Sequence, residues 1–204
     1  MKGLGFLLIP LVVLLAGCGG SGGGKTETMR CDVTGDKDKA QLTDLEKDKT
    51  YRVAVRTNQG SFTIELATTV SPCTTASFVA LAQKGFFDGT VFHRIVPGFV
   101  IQAGDPTGSG FGGPGYSTVD QPPANAAYTK GVAAMAKTDT EPAGTAGSQF
   151  FVVTGDDARL PPDYAILGKV VDGLDVVEKI GRLGDASQRP TERVEIEGMQ
   201  VTTS

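Results

Sequence analysis

The sequence predicts a mainly β fold, a closed antiparallel barrel capped by two α-helices, and three observations point there. Glycine occupies 28 of the 204 positions, enough to turn the chain between many short strands. Most apolar runs alternate with period two. Only two stretches, both short, have helical spacing. With 40% hydrophobic residues the chain can bury the core of one domain plus appendages.

Residues 1–17 read as a leader. Lys2 supplies a positive start, and Leu4 to Ala16 form an apolar run too short to span a bilayer comfortably. Leu15-Ala16-Gly17-Cys18 resembles the lipobox of bacterial lipoprotein signal peptides. That resemblance implies a diacylglyceryl thioether on Cys18, cleavage before it, and acylation of the new amino terminus. Several acyl chains on one residue anchor a protein stably to a membrane, so the expected location is the cell envelope, outside the cytoplasm. The alternative is an ordinary secretory signal with a chance cysteine.

Residues 18–50 read as the lipidated cysteine and a flexible polar tether. Gly19 to Gly24 hold no side chain able to build a core, and Lys25 to Thr50 are polar and charged with room for one short helical turn. Such a tether would reach roughly 30 Å. Cys31 and Cys73 remain; in an exported protein two leftover cysteines form a disulfide or stay as free thiols.

The domain proper spans 51–204. Tyr51 to Leu66 alternates in both arms about Gln59-Gly60 and reads as a hairpin. Ser71-Pro72 opens a helix, with serine as N-cap and proline at the first position, and Gly85 stops it. Phe78, Phe86 and Phe87 belong to its core side. Strands follow at Thr129 to Lys137, Ser148 to Thr154 and Tyr164 to Val170. A second helix runs from Asp172 to Ile180, and Thr191 to Val201 makes a last strand.

The central stretch, Val91 to Gly115, holds the only histidine, His93, next to Arg94. Pro97-Gly98 turns the chain into Phe99-Val100-Ile101-Gln102-Ala103. If the two runs pair, alternation sends Phe92 and Arg94 to one face, and Phe99, Ile101 and Ala103 to the face opposite Val100 and Gln102. An arginine and a glutamine inside apolar strands would cost several kcal/mol if buried without partners, so they are expected to line a cavity that receives something polar. The bland alternative for Arg94 is a salt-bridged strand arginine.

Phe92-His93-Arg94, Phe99, Gln102 and Gly104-Asp105 resemble the central pattern of the cyclophilins, the peptidyl-prolyl cis–trans isomerases. Lys130 to Ala136, Gly147 to Val152 and Tyr164 to Gly173 resemble three further blocks of that family, in family order. The resemblance implies eight strands with a helix over each open end, and isomerase activity without cofactor or metal. It also implies a set of site residues. Arg94, Phe99 and Gln102 would be catalytic. Phe99, Phe151 and Leu160 would pocket the proline ring, with Val100 on the rim. Gln149 would add a polar contact, Gly110 close approach to a loop, and Ala136, Lys137 and Thr138 backbone bonds to the peptide. Tyr164 closes the substrate-binding list. His93 is read as a structural ring, not a base. Lys137, Val100, Arg159 and Tyr164 stand where better-known members carry asparagine, methionine, tryptophan and histidine, which implies altered substrate preference and weaker cyclosporin binding.

Rotation about an X–Pro bond breaks no covalent bond, so neither nucleophile nor acid–base pair is needed. A fixed donor aimed at the pyramidalised prolyl nitrogen suffices, and a guanidinium fits that role. The expected partners are proline-containing polypeptides and, through Cys18, a lipid bilayer; the chain is expected to be a monomer. The same pocket would also suit a module that only binds proline-containing segments. A formal charge of −4 without a basic patch argues against nucleic acid. Gly110-Phe111-Gly112-Gly113-Pro114-Gly115 satisfies G-x-G-x-x-G, but Pro114 and the strand-like residues after it do not open a helix, so no dinucleotide site is read there. A hydrolase built on His93 lacks a nucleophile elbow.

Overall fold

Hydrogen-bond closure of short alternating strands builds the molecule. The computed structural model describes residues 30–204; the leader, the lipobox with Cys18 and the glycine linker lie outside them. Eleven strands and two helices are formed in the described part: β1 (Val33–Gly35), β2 (Tyr51–Thr57), β3 (Gly60–Leu66), α1 (Pro72–Gln83), β4 (Arg94–Val96), β5 (Val100–Ala103), β6 (Tyr116–Val119), β7 (Val132–Met135), β8 (Thr145–Ala146), β9 (Phe150–Val153), β10 (Ile166–Asp172), α2 (Leu174–Gly181) and β11 (Ile196–Thr203). Eight of them form one antiparallel sheet in the order β11-β2-β3-β10-β7-β9-β5-β4, and β1, β6 and β8 form a small second sheet.

The large sheet is a curled, open half-barrel, which corrects the expected closed barrel. Its end strands, β4 and β11, share no ladder. Across the seam run a single bridge between Val91 and Glu195 and three bonds, Gly89 N–H to the Ile196 carbonyl (2.8 Å), Ile196 N–H to the Thr90 carbonyl (2.8 Å) and Phe92 N–H to the Val194 carbonyl (2.9 Å). The physical reason lies in what flanks β4. Ile95 N–H donates to the carbonyl of Gln188 (3.0 Å), so the turn before β11, not β11 itself, covers that edge. Period-two alternation identifies strands but does not say whether the first and last of them meet.

The β2–β3 hairpin pairs Arg52 with Glu65 through Thr57 with Gly60. Val53, Val55, Phe62 and Ile64 point inward and are essentially inaccessible. α1 packs against β11 and β6, and α2 against β3, β5 and β4. Between them Phe78, Phe87, Phe92 and Phe150 stack, with the Phe78 ring 4.8 Å from Phe87 and 5.5 Å, edge-on, from Phe150. Pro72 does start α1, but Ser71 caps nothing with its side chain. The Asp120 carboxylate reaches in from the end of β6 and accepts from Thr74 N–H at 2.6 Å. A carboxylate there satisfies an orphan amide and sits at the positive end of the helix dipole. It comes from 46 residues away in the sequence, where local capping patterns do not look.

The polar run before Tyr51 is docked on the domain from Arg30 onward. A disulfide joins Cys31 to Cys73 in the first turn of α1, with Cα atoms 5.5 Å apart. β1 pairs with β6, a 3-10 turn follows at Lys37–Lys39, and Leu45 packs against the core. Thr43 N–H donates to the Ala76 carbonyl (3.2 Å), and the Tyr116 hydroxyl to the Gln41 carbonyl (3.0 Å). A crosslink across 42 residues removes loop-closure freedom from the unfolded chain. Reduction is therefore expected to lower the unfolding free energy by about 3 kcal/mol. Denaturant titrations with and without reductant measure it; coincident midpoints would contradict the expectation. Among the described residues no helix is long and apolar enough to cross a membrane.

Candidate active site

The Pro97-Gly98 turn sets the register on which the site depends. Phe99 N–H bonds the Val96 carbonyl (3.0 Å) and Gly98 adopts φ +70°, the left-handed value this tight turn requires. Arg94 then faces Gln102, and Gln102 faces Phe151 on β9. Phe151 faces Ala134 on β7, which faces Ile166 on β10. Five strands thus contribute one row across the outer face of the sheet: Arg94, Gln102, Phe151, Ala134, Ile166. Arg94 and Gln102 were both expected to line a cavity; they face each other across the β4–β5 ladder, and of the two Gln102 lines the cleft described below. Phe92 does not join Arg94; it is in the core, because the chain at Phe92-His93 is not a pleated strand. Phe99 likewise leaves the Ile101 and Ala103 side, because it belongs to the turn and lies over Val100.

A polar chain runs from that row. Arg94 Nε donates to Gln188 Oε1 (2.8 Å) and its Nη1 to Gln102 Oε1 (3.3 Å). Gln102 Nε2 donates to Gln149 Oε1 (3.0 Å), and Gln149 Nε2 to the carbonyls of Gly110 and Gly112 (both 2.9 Å). The guanidinium carbon stands 6.0 Å from the Phe99 ring centre. Among the described residues no carboxylate pairs with Arg94, which removes the salt-bridge alternative. Two of its five N–H groups are taken, and the cation is held in place by neutral amides that leave its charge uncompensated.

Behind Gly110 and Gly112 sits Asp105, fully buried. Its Oδ1 accepts from Thr107 N–H (2.7 Å) and the Thr107 hydroxyl (2.8 Å). Its Oδ2 accepts from the amides of Gly110 (2.6 Å) and Gly112 (3.1 Å) and the Ser109 hydroxyl (3.3 Å). Burial works to raise its pKa, but the bonds from Thr107, Gly112 and Gly110 win and hold it well below the usual carboxylate range. A side chain at Gly112 would collide with this carboxylate. That explains a glycine of the G-x-G-x-x-G run with no nucleotide involved.

The apolar side of the row is a cluster of Val100, Tyr128, Val132, Ala134, Phe151 and Val153, with Phe99, Ala136, Leu160 and Tyr164 packed against it. Phe151 meets Tyr164 edge-on at 5.5 Å. Val100, expected at a rim, is 2% exposed and forms the floor. Tyr128 escaped the sequence reading. Its hydroxyl donates to the Tyr164 carbonyl (2.7 Å) and accepts from Tyr164 N–H (3.0 Å), fixing the bend that leads into β10.

A cleft of about 430 Å³ opens beside Gln102 and Gln149. Gly110, Ala136, Lys137 and Thr138 all line it. Two of their amides are already committed: Ala136 N–H to the Gln149 carbonyl (2.9 Å) and Thr138 N–H to Glu141 (2.6 Å). Lys137 Nζ lies 5.5 Å from the centre of the Tyr164 ring and bonds the Thr138 and Glu141 carbonyls (3.2 Å each). Both ring nitrogens of His93 are buried and make no hydrogen bond among the described residues. Burial pushes its pKa down, against the pull of the Asp105 charge, so the ring stays neutral.

The family model described as cyclophilin type peptidyl-prolyl cis-trans isomerase matches residues 52–201. The chain belongs to the cyclophilin family. Among cyclophilins of known sequence, the probable peptidyl-prolyl cis-trans isomerase B of Mycobacterium tuberculosis is 41% identical over 150 residues, 66% of this chain and 47% of the relative. The chain therefore spans about half the length of that relative. The peptidyl-prolyl cis-trans isomerase-like 1 of Aspergillus oryzae is 38% identical over 149 residues, covering 71% of this chain and 91% of the relative. A crystal structure of a Cryptosporidium parvum cyclophilin superposes with a TM-score of 0.68 at 30% identity, covering 75% of this chain and 98% of that one. The same protein crystallised in the presence of the dipeptide Ala-Pro gives 0.65. The family match spans 52–201, so β1 and Cys31 lie before it, while Cys73 lies within it.

Proposed function

We propose that this cyclophilin is a peptidyl-prolyl cis–trans isomerase acting on exported or envelope polypeptides and assisting their folding. The observation that carries it is a guanidinium with no carboxylate partner among the described residues, fixed by Gln102 and Gln188 beside Phe99 of the apolar cluster. The proline ring enters between Phe99, Phe151 and Leu160 over Val100. Twisting the X–Pro bond localises a lone pair on the prolyl nitrogen, and an Arg94 N–H donates to it more strongly than to the planar amide. Gln102 keeps Arg94 aimed, and Gln149 ties Gln102 to the Gly110 loop. Uncatalysed exchange takes tens of seconds, so ordinary turnover needs roughly 3–7 kcal/mol of differential stabilisation.

The Leu15 to Cys18 lipobox supports attachment through an acylated Cys18 to the outer face of a membrane. Mass spectrometry of the cell-made protein tests it; an unacylated Cys18, or a retained leader, would remove the anchor.

Exchange NMR on an Ala-Pro peptide with the whole chain tests the activity: cis and trans signals should coalesce at catalytic protein concentration. Binding without faster exchange would leave a proline-reading module instead. Truncating Leu160 to alanine removes part of the pocket wall and is expected to raise KM about 5–10-fold, as loss of some 1 kcal/mol of apolar contact would, with a smaller change in kcat. An unchanged KM would take Leu160 out of the pocket.

A further inference from the structure

Thr34 and Gly35 lie outside the family match, which begins at residue 52, yet both line the cleft beside Gln102 and Gln149. Thr34 pairs with Ser117 across the β1–β6 ladder. Tyr116 and Thr118, on either side of Ser117, are buried toward α1, so alternation turns Ser117 and Thr34 to the cleft. The approach of β1 to the cleft loop is close. Gly35 has φ +81°, and a side chain there would come within 2.8 Å of the Gly115 carbonyl oxygen. Asp36 N–H donates to that same oxygen at 3.0 Å. The loop from Gly110 to Gly115 is thus held from within by Asp105 and Gln149, and from outside by β1. The Cys31–Cys73 disulfide staples the start of that strand to α1.

We propose that β1 is a wall of the substrate groove and a specificity element, selecting a long, uncharged polar side chain on a residue flanking the X–Pro bond. The volume of about 430 Å³ accepts the bulk of such a side chain. The Thr34 and Ser117 side chains, both in the lining, offer it hydroxyls for hydrogen bonds. The carboxylate of Glu141, also in the lining, is engaged by Thr138 N–H and hydroxyl at 2.6 and 2.9 Å. Phe111, 92% exposed at the lip, is displayed by a backbone fixed on both sides, since Gly110 and Gly112 each use N–H and carbonyl in bonds to Asp105 and Gln149. Its ring covers the apolar stem of the incoming side chain. This proposal rests on the isomerase reading above for its substrate.

Peptides with a central Ala-Pro, and alanine or glutamine at each flanking position in turn, test it on the whole chain. Kd is read by NMR titration and turnover by exchange. Wild type should bind one glutamine peptide about fivefold more tightly than the all-alanine peptide, the worth of one added hydrogen bond, with shifts at the Ser117 and Gly115 amides. Thr34→Arg fills the cleft from an exposed position and should bring that ratio to about one. Cys31→Ser with Cys73→Ser should weaken the preference in the same direction. A wild type indifferent to glutamine, or a Thr34→Arg ratio equal to that of wild type, overturns the wall even if exchange is fast. Preferential binding at Ser117 without faster exchange keeps the wall and removes the isomerase.

Discussion

Arg94→Ala is expected to lower catalysed X–Pro exchange 10²- to 10³-fold, the effect of removing one preorganised donor from a charge-developing centre. The fold should survive. Arg94 is half-exposed at the start of a three-residue strand, outside the core cluster, and its side chain makes bonds only to Gln102 and Gln188 among the described residues. Arg94→Lys separates charge from geometry. A lysine keeps the cation but cannot donate to Gln188, Gln102 and a substrate nitrogen from one rigid plane, so most of the loss should remain. Exchange spectroscopy on an Ala-Pro peptide, with unfolding curves for each variant, checks both. Full activity in Arg94→Ala with an intact fold would mean that pocket desolvation alone lowers the barrier.

How far the site could be read from the chain depended on how local its contacts are. Arg94 and Gln102 are eight residues apart about a Pro-Gly turn, so turn chemistry was enough to expect their two runs to pair, and the resemblance named both as site residues. The apolar pocket was accessible only by resemblance, since Phe99, Phe151 and Leu160 look like any core residues until the sheet is assembled. Gln188 lay beyond reach. It stands 94 residues from Arg94, in a turn where it adopts φ +66°, a backbone state few side chains tolerate. Only the packing of that turn against the β4 edge brings its amide to the guanidinium, and the same packing leaves the barrel open. Tyr128 gave no signal, because an isolated tyrosine in a loop does not reveal that its hydroxyl will bridge the backbone of a bend 36 residues away. The polar composition of residues 30–50 obscured their docking, which rests on backbone pairing, a disulfide and Leu45 instead of an apolar face.

Asp105→Ala is expected to be among the most destabilising single changes outside the aromatic core, at about 4 kcal/mol. Five donors converge on that one buried carboxylate, three of them backbone amides with no other acceptor nearby. Each amide left without a partner costs roughly 1–3 kcal/mol, lessened where water enters the loop. Asp105→Asn should recover little, since its NH₂ would face the Gly110 and Gly112 amides, donor against donor. The pH dependence has a definite sign. The carboxyl is held below its unfolded value of 3.8, so its stabilisation is complete above that pH and is lost as pH falls through the lower folded value. Acid unfolding of wild type should therefore begin below pH 3.8, and Asp105→Asn should lack that part of the transition. The change should also reach the chemistry. Gln149 is aimed by the Gly110 and Gly112 carbonyls that Asp105 positions, and Gln149 in turn holds Gln102 beside Arg94. A folded Asp105→Asn protein, assayed well below its melting temperature, should lose about tenfold in exchange rate, the cost of a misplaced positioning group. Equal activity would show that Arg94 is aimed by Gln188 and Gln102 without help from the loop.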